Sequence, residues 1–207
     1  MQNLNRPNNG ETQSQILHPG SRHLFRYWES LRAERPCPRK DEIVLKNIVE
    51  VVPNLAIVER DQAKKGWQFR LAGTKIYDLF GKEMTNNDAL QGFDSFERGV
   101  VSNCLDISQT RMQPCLVRMR FISEHNVVIA AEMIGLPILD ANDGKIQIFG
   151  GLFPFHDSQL GNETALVRRE LASARMIWTE HDTGDALLGE VGRKAPPQFQ
   201  VIQGGLS

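Results

Sequence analysis

The chain has 207 residues, 24 Lys or Arg against 25 Asp or Glu, and a net charge of −1. That length accommodates one domain with extensions and a sizeable core, and the near-neutral balance argues against broad non-specific binding to nucleic acid. The apolar fraction of 41% is slightly low for a packed domain and points to polar ends, while no run approaches the roughly 18 apolar residues of a membrane span.

Residues 1–20 are rich in Asn and Gln, contain Pro7, Gly10, Pro19 and Gly20, and lack the apolar run of a secretory leader. They are expected to be a disordered tail, because they cannot bury enough surface to offset chain entropy. Ser21 can cap a helix over 21–34, in which Leu24, Phe25, Trp28 and Leu31 form one apolar stripe and Arg22, Arg26 and Arg32 sit elsewhere; Pro36 and Pro38 end it. The stripe can lie on the chain's own sheet or pair with a second copy, and the residues do not choose between the two. Asp41 starts a second expected helix, with Leu45, Ile48, Val49 and Val52 on one side and Pro53 as its stop.

Residues 55–59 form a short apolar run suited to a buried strand, and 61–66 read as a hairpin loop. Trp67, Phe69 and Leu71 then alternate with Gln68 and Arg70, a period of two. Gly73 breaks the alternation and Thr74 can cap a short helix with Ile76 and Phe80 on one face. Gly81 ends it, as the residue that takes a left-handed conformation without penalty. After a turn-rich stretch, Asp94 stands three before Glu97, as in a capping box, ahead of Phe96, Val100, Cys104 and Ile107 at helical spacing. Three strands follow. In the first, Cys115, Val117, Met119 and Phe121 alternate with Leu116, Arg118 and Arg120. The second runs from Val127 to Leu136, with Pro137 interrupting near its end. The third covers 146–155 after the turn at 140–144, and its Gly150-Gly151 marks a bulge or a close approach to the backbone. Residues 162–178 read as a helix with Val167, Leu171, Ala174 and Trp178 aligned and Arg168 and Arg169 exposed; from Thr179 the chain is Gly, Pro and Gln-rich.

The strand, glycine, short helix, glycine order at 67–81 resembles the start of a PAS domain. More narrowly, the chain is similar to a bacterial single-domain PAS-like family. The shared elements are Arg26-Tyr27-Trp28 in the first helix, the segment from Pro38 to Ile43, the run from Arg70 to Thr74, and Leu79-Phe80-Gly81. Glu42, inserted before Ile43, departs from that pattern. The resemblance covers roughly residues 21–155 and implies an α+β fold: a PAS-like five-stranded antiparallel sheet with helices on one face and an extra N-terminal helix. On this division 1–20 is a tail, 21–155 the PAS-like domain with its flanking helix, and 156–207 a partly disordered extension.

A catalytic set does not assemble. There is no G-x-S-x-G elbow, no Gly-Lys-Ser/Thr phosphate loop and no HExxH. His18, His23, His125, His156 and His181 are scattered. No cofactor is expected. The haem-binding relatives carry a histidine near the long helix, where this chain has none, and Asn103-Cys104 continues as Leu105-Asp106, without the arginine that contacts flavin in light-sensing relatives. Cys37, Cys104 and Cys115 lack CxxC spacing and read as reduced thiols in a cytoplasm, so no metal site is expected. Asn162-Glu163-Thr164 matches a glycosylation acceptor, which has no meaning without secretion. Arg118, Arg120 and Glu132 fit either a cross-strand ion pair or an anion site.

Phe69, Leu71, Ile76, Phe80, Val100, Cys104, Ile107, Met119, Phe121, Met133 and Phe149 are the expected lining of a ligand cavity, and the same residue types also suit an ordinary filled core. The resemblance implies a cytoplasmic sensory or regulatory module of signal transduction rather than an enzyme. It would bind a small apolar or amphipathic ligand or a protein partner, without nucleic acid or membrane, and form a homodimer through Leu24, Phe25, Trp28 and Leu31. The alternative is a ligand-free scaffold for protein–protein interaction or dimerisation on the same fold.

Overall fold

Period-two alternation over 115–123 and 145–154 puts large apolar side chains on both sides of extended segments, which favours a sheet covered on both faces. The computed structural model, which describes residues 15–61, 66–156 and 166–179, has that arrangement. Its strands are β1 (Leu55–Asp61), β2 (Gly66–Ala72), β3 (Cys115–Ser123), β4 (Val128–Asp140), β5 (Lys145–Pro154) and β6 (Leu166–Met176). They form one antiparallel sheet in the order β2-β1-β5-β4-β3-β6. The helices are α1 (Pro19–Arg32), α2 (Thr74–Phe80) and α3 (Ser95–Arg111), with two 3-10 stretches at Lys40–Glu42 and Leu45–Asn54.

The helices α2 and α3 and the connection between them cover one face, over Val58, Phe69, Val117, Met119 and Phe121. On the opposite face α1 and the 3-10 stretches lie over Leu116, Ile134, Leu136, Phe149 and Phe153. The stripe residues Leu24, Phe25 and Trp28 are therefore buried inside this chain and Leu31 half-buried, so the expected dimer seam is corrected. Strand β4 also holds this helix: the Trp28 indole N–H donates to the carbonyl of Pro137 at 2.8 Å. Pro137 itself does not interrupt β4. It lies beyond Gly135, where pairing with β3 stops, so its missing N–H leaves no ladder bond unmade.

Several local expectations change. The helix cap is His18, not Ser21: the His18 ring nitrogen accepts from Gly20 N at 3.0 Å, while the Ser21 hydroxyl is buried without a partner. The tail expected over 1–20 is ordered from residue 15, with Ile16 fully buried; residues 1–14 lie outside the described residues. The helix expected from Asp41 is two 3-10 pieces with a non-helical Ile48, and Leu45 and Val49 are exposed. Glu42 folds back to accept from Arg39 N at 2.7 Å and Arg35 at 2.9 Å, which absorbs the inserted residue. Gly73, not Thr74, is the cap position of α2, and Gly81 closes it in the left-handed region at φ 65°.

The largest correction concerns 162–178. Residues 166–176 are a sixth strand on β3, not a helix, so the folded unit extends past residue 155. Leu, Arg, Glu, Ala and Met in this stretch favour helix intrinsically. Tertiary context overrides them, because β3 would otherwise present an open edge. The tripeptide at 162–164 and His181 lie outside the described residues.

Candidate functional site

Where each expected pocket residue falls depends on strand parity and helix rotation. Phe69, Ile76, Phe80, Cys104, Met119 and Phe121 share the core beneath α2 and α3, and Met133 packs against it. Leu71 and Phe149 do not join them. The β1–β2 register steps from Ile57–Leu71 to Val58–Phe69, so Arg70 is an extra residue and Leu71 turns to the opposite side. Phe149 is one residue out of phase with Ile148 and Leu152, and it lies under α1. On α3 the buried positions are Val101, Cys104, Leu105 and Ser108; Val100 and Ile107 are half-buried at the margin and Phe96 is 77% exposed. The Asp94 cap accepts from Glu97 N at 2.8 Å, but the Glu97 carboxylate reaches Leu171 N on β6 instead of closing a capping box.

The space enclosed on this face is a cavity of about 30 Å³, lined among others by Val58, Phe69, Leu90, Met119, Met133 and Ile148. That is room for a water molecule, so the interior in this state is filled. Its roof is residues 84–93. This stretch is stitched to both edges of the curled sheet. Asn87 O accepts from Phe69 N at 2.9 Å and Trp67 O from Ala89 N at 2.8 Å on the β2 edge; Gly92 O accepts from Arg169 N at 2.8 Å on the β6 edge.

Arg169 also holds the roof with its side chain. Opposite Phe121 in the register, it points to the same face and is 5% exposed. Its Nε donates to Gln91 O at 2.6 Å and its Nη2 to Ala89 O at 3.0 Å and to Gln91 O. The guanidinium carbon stands 4.2 Å from the Phe93 ring centroid, 5.3 Å from Phe80 and 5.9 Å from Phe121. Burial pushes the group down to about 9, so it remains cationic at neutral pH. Beside it a cleft of about 230 Å³ opens to solvent, lined by Phe80, Lys82, Gln91, Gly92, Phe121, Arg168 and Arg169. A helix over 162–178 would carry Arg168 and Arg169 together on its surface, which is why Arg169 is expected to be exposed. On a strand they must point to opposite faces.

The other expected constellation is a structural pair. Glu132 is fully buried and accepts from Arg118 at 2.9 Å, while Arg120 turns to Glu170 at 2.8 Å. Cys37, Cys104 and Cys115 are buried and free. Among the described residues no three His, Cys, Asp or Glu gather as metal ligands, and no helix is long and apolar enough to cross a membrane. His23, His125 and His156 are exposed, and His18 stacks on Phe153 with ring centroids 5.0 Å apart.

A comparison with curated proteins gives no match. Among solved structures the chain is similar to one described as "Flavin Analogue Sheds Light on Light-Oxygen-Voltage Domain Mechanism", at 12% identity and a TM-score of 0.41, covering 56% of this chain and 87% of that one. A family model described as "PAS domain" matches residues 16–153, from the buried Ile16 ahead of α1 to Phe153 at the end of β5. An antiparallel sheet roofed by the connection between its second and third strands, together with that match over most of the chain, places the protein in the PAS domain family.

Proposed function

We propose that this chain is a cytoplasmic sensory or regulatory PAS module of bacterial signal transduction, without a catalytic step, that takes a small apolar or amphipathic ligand beneath residues 84–93. The supporting observation is the construction of that roof. It is a short, turn-rich cover joined to the two sheet edges by a few backbone bonds, above an apolar interior with the adaptable side chains of Met119 and Met133. A cover held this way can lift as a unit, and a ligand that binds only the lifted state shifts the population toward it. Partner contacts made by the cover or by β6 would then change.

Native mass spectrometry of protein purified from its source tests this reading. A co-purifying small molecule, with faster amide exchange in 84–93 once it is removed, is the expected result. Unliganded mass, together with exchange in 84–93 that is unchanged by any of a panel of apolar and amphipathic compounds, sinks it.

A second reading is the ligand-free scaffold. It draws on a groove of about 460 Å³ beside β1 and the 3-10 stretch, lined by Ile43, Leu45, Val52, Ile57, Leu71 and Phe149. Leu45 and Leu71 stand exposed in it, and Val49 is exposed on the same 3-10 stretch as Leu45. A partner protein or second copy would use this surface rather than the α1 stripe. Leu45→Asp with Leu71→Asp should abolish such association, read by sedimentation, and leave the circular dichroism spectrum of the folded chain unchanged.

A further inference from the structure

A guanidinium removed from water needs an opposite charge or a full set of acceptors. Arg169 has only part of such a set. Three carbonyl contacts use Nε and Nη2, and among the described residues no carboxylate lies within ion-pair distance of it. Asp88, the one acid whose field favours its charge, is already paired with Arg98 at 2.7 Å. Among the described residues its Nη1 has no acceptor, and Arg169 lines the cleft. Lys82 lines the same cleft and bonds there to the neutral amide oxygen of Gln91 at 3.1 Å. Arg168 borders the cleft, but its guanidinium is paired with Glu170 at 3.0 Å. Among the described residues no acidic side chain lines this cleft, and Phe80, Gln91, Gly92 and the buried Phe121 complete its lining.

We propose that this cleft is an oxyanion site for a small amphipathic ligand, whose carboxylate or phosphate group pairs with Arg169 and Lys82 and whose apolar body lies against the Phe80 side of the cleft. The inference goes beyond the ligand-sensing reading, because this cleft lies at the β6 margin of the roof and not in the interior beneath it. The volume of about 230 Å³ falls just below the ~300–1,000 Å³ of drug-sized pockets, which suits a single ring or a short chain. An oxyanion completes the guanidinium's bonding with a charge-assisted pair, the strong kind of hydrogen bond. The same guanidinium holds Ala89 and Gln91 of the roof, so pairing there alters the grip on the cover.

Titration calorimetry of the full chain at fixed ionic strength tests the site, with benzoate, phenyl phosphate, the neutral benzyl alcohol and inorganic phosphate as probes. Benzoate or phenyl phosphate should bind, and benzyl alcohol and inorganic phosphate should bind at least tenfold more weakly. Lys82→Met, at an exposed position, should weaken the anion about tenfold, the size of one charge-assisted hydrogen bond. Arg169→Lys should weaken it further, and its fold is checked by circular dichroism. Equal binding of benzyl alcohol, equal binding of inorganic phosphate, anion affinity indifferent to Lys82→Met, or no anion binding at all overturns the proposal. Binding of benzyl alcohol with faster exchange in 84–93 would overturn the oxyanion site yet leave the ligand-sensing reading standing, so the two fail separately.

Discussion

Arg118 and Glu132 pair directly across β3 and β4, and the pair ties down the chain ahead of α1. One carboxylate accepts from Arg118 at 2.9 Å, from Leu17 N at 3.1 Å and from His18 N at 2.8 Å, and Arg118 also donates to Gln15 O. Three donors thereby converge on the two oxygens of a fully buried acid, which makes its burial tolerable.

Glu132→Gln keeps the shape, removes the charge and sets an amide N–H₂ against donors. The expected loss is about 2–4 kcal/mol, between that of a buried hydrogen bond and that of a broken buried ion pair. Urea unfolding measures it. Amide exchange at Leu17 and His18 should rise in the same variant, and unchanged exchange there would show that the tether is not held by Glu132.

The ring of Phe153 is wedged between two glycines. A Cβ built on Gly20 would stand 2.5 Å from it, as would one built on Gly151. Gly20→Ala and Gly151→Ala should each cost about 1–3 kcal/mol, the range for overpacking. Gly99 is the opposite case. It lies inside α3 with nothing within 4 Å of its added Cβ, so Gly99→Ala should stabilise by about 0.5–1 kcal/mol. Differential scanning calorimetry of the three variants separates the signs.

The sheet was largely legible because β3, β4 and β5 announce themselves through alternation and through the turn at 140–144. The roofed core was legible in part: Phe69, Met119 and Phe121 fall where period two puts them. Leu71 was lost to one extra residue, Arg70, which no local pattern marks. β6 was lost because its residues prefer helix and only the edge of β3 makes them extended. With β6 went Arg169, the one cation of the site that is buried. Non-local pairing, not composition, decides these positions.

The thiols give a pH test. Hydrogen bonding to the Cys104 thiol and burial push the Cys115 thiol well above its ordinary value, and burial raises Cys37. A raised folded pKa means that the folded state keeps its proton longer than the unfolded chain. The stability it contributes is fully present below the unfolded value of about 8.5 and is lost as pH rises toward the folded one. Cys115→Ala should therefore show a shallower fall in stability above pH 8.5 than the parent chain. At pH 8 a thiol reagent should find little in the native protein and three equivalents in denaturant. Rapid native reaction of Cys115 would contradict its burial.

The last prediction concerns what α1 is for. Leu24, Phe25 and Trp28 lie against Leu136, Phe149 and Phe153, so the stripe covers the second face of the chain's own sheet. Trp28 contributes most. It is 1% exposed, stacks with Phe25 at 6.3 Å between centroids and makes the bond to Pro137 O. Trp28→Ala should cost about 3–5 kcal/mol through lost area and the cavity left behind. Trp28→Phe should cost less, roughly 1–3 kcal/mol, from the smaller ring and the carbonyl left without its donor. If α1 instead mediated association, both variants would change the sedimentation coefficient before they changed the unfolding midpoint. Analytical ultracentrifugation beside urea titration orders the two effects, and the packing of α1 requires that stability falls while the mass of the folded species stays the same.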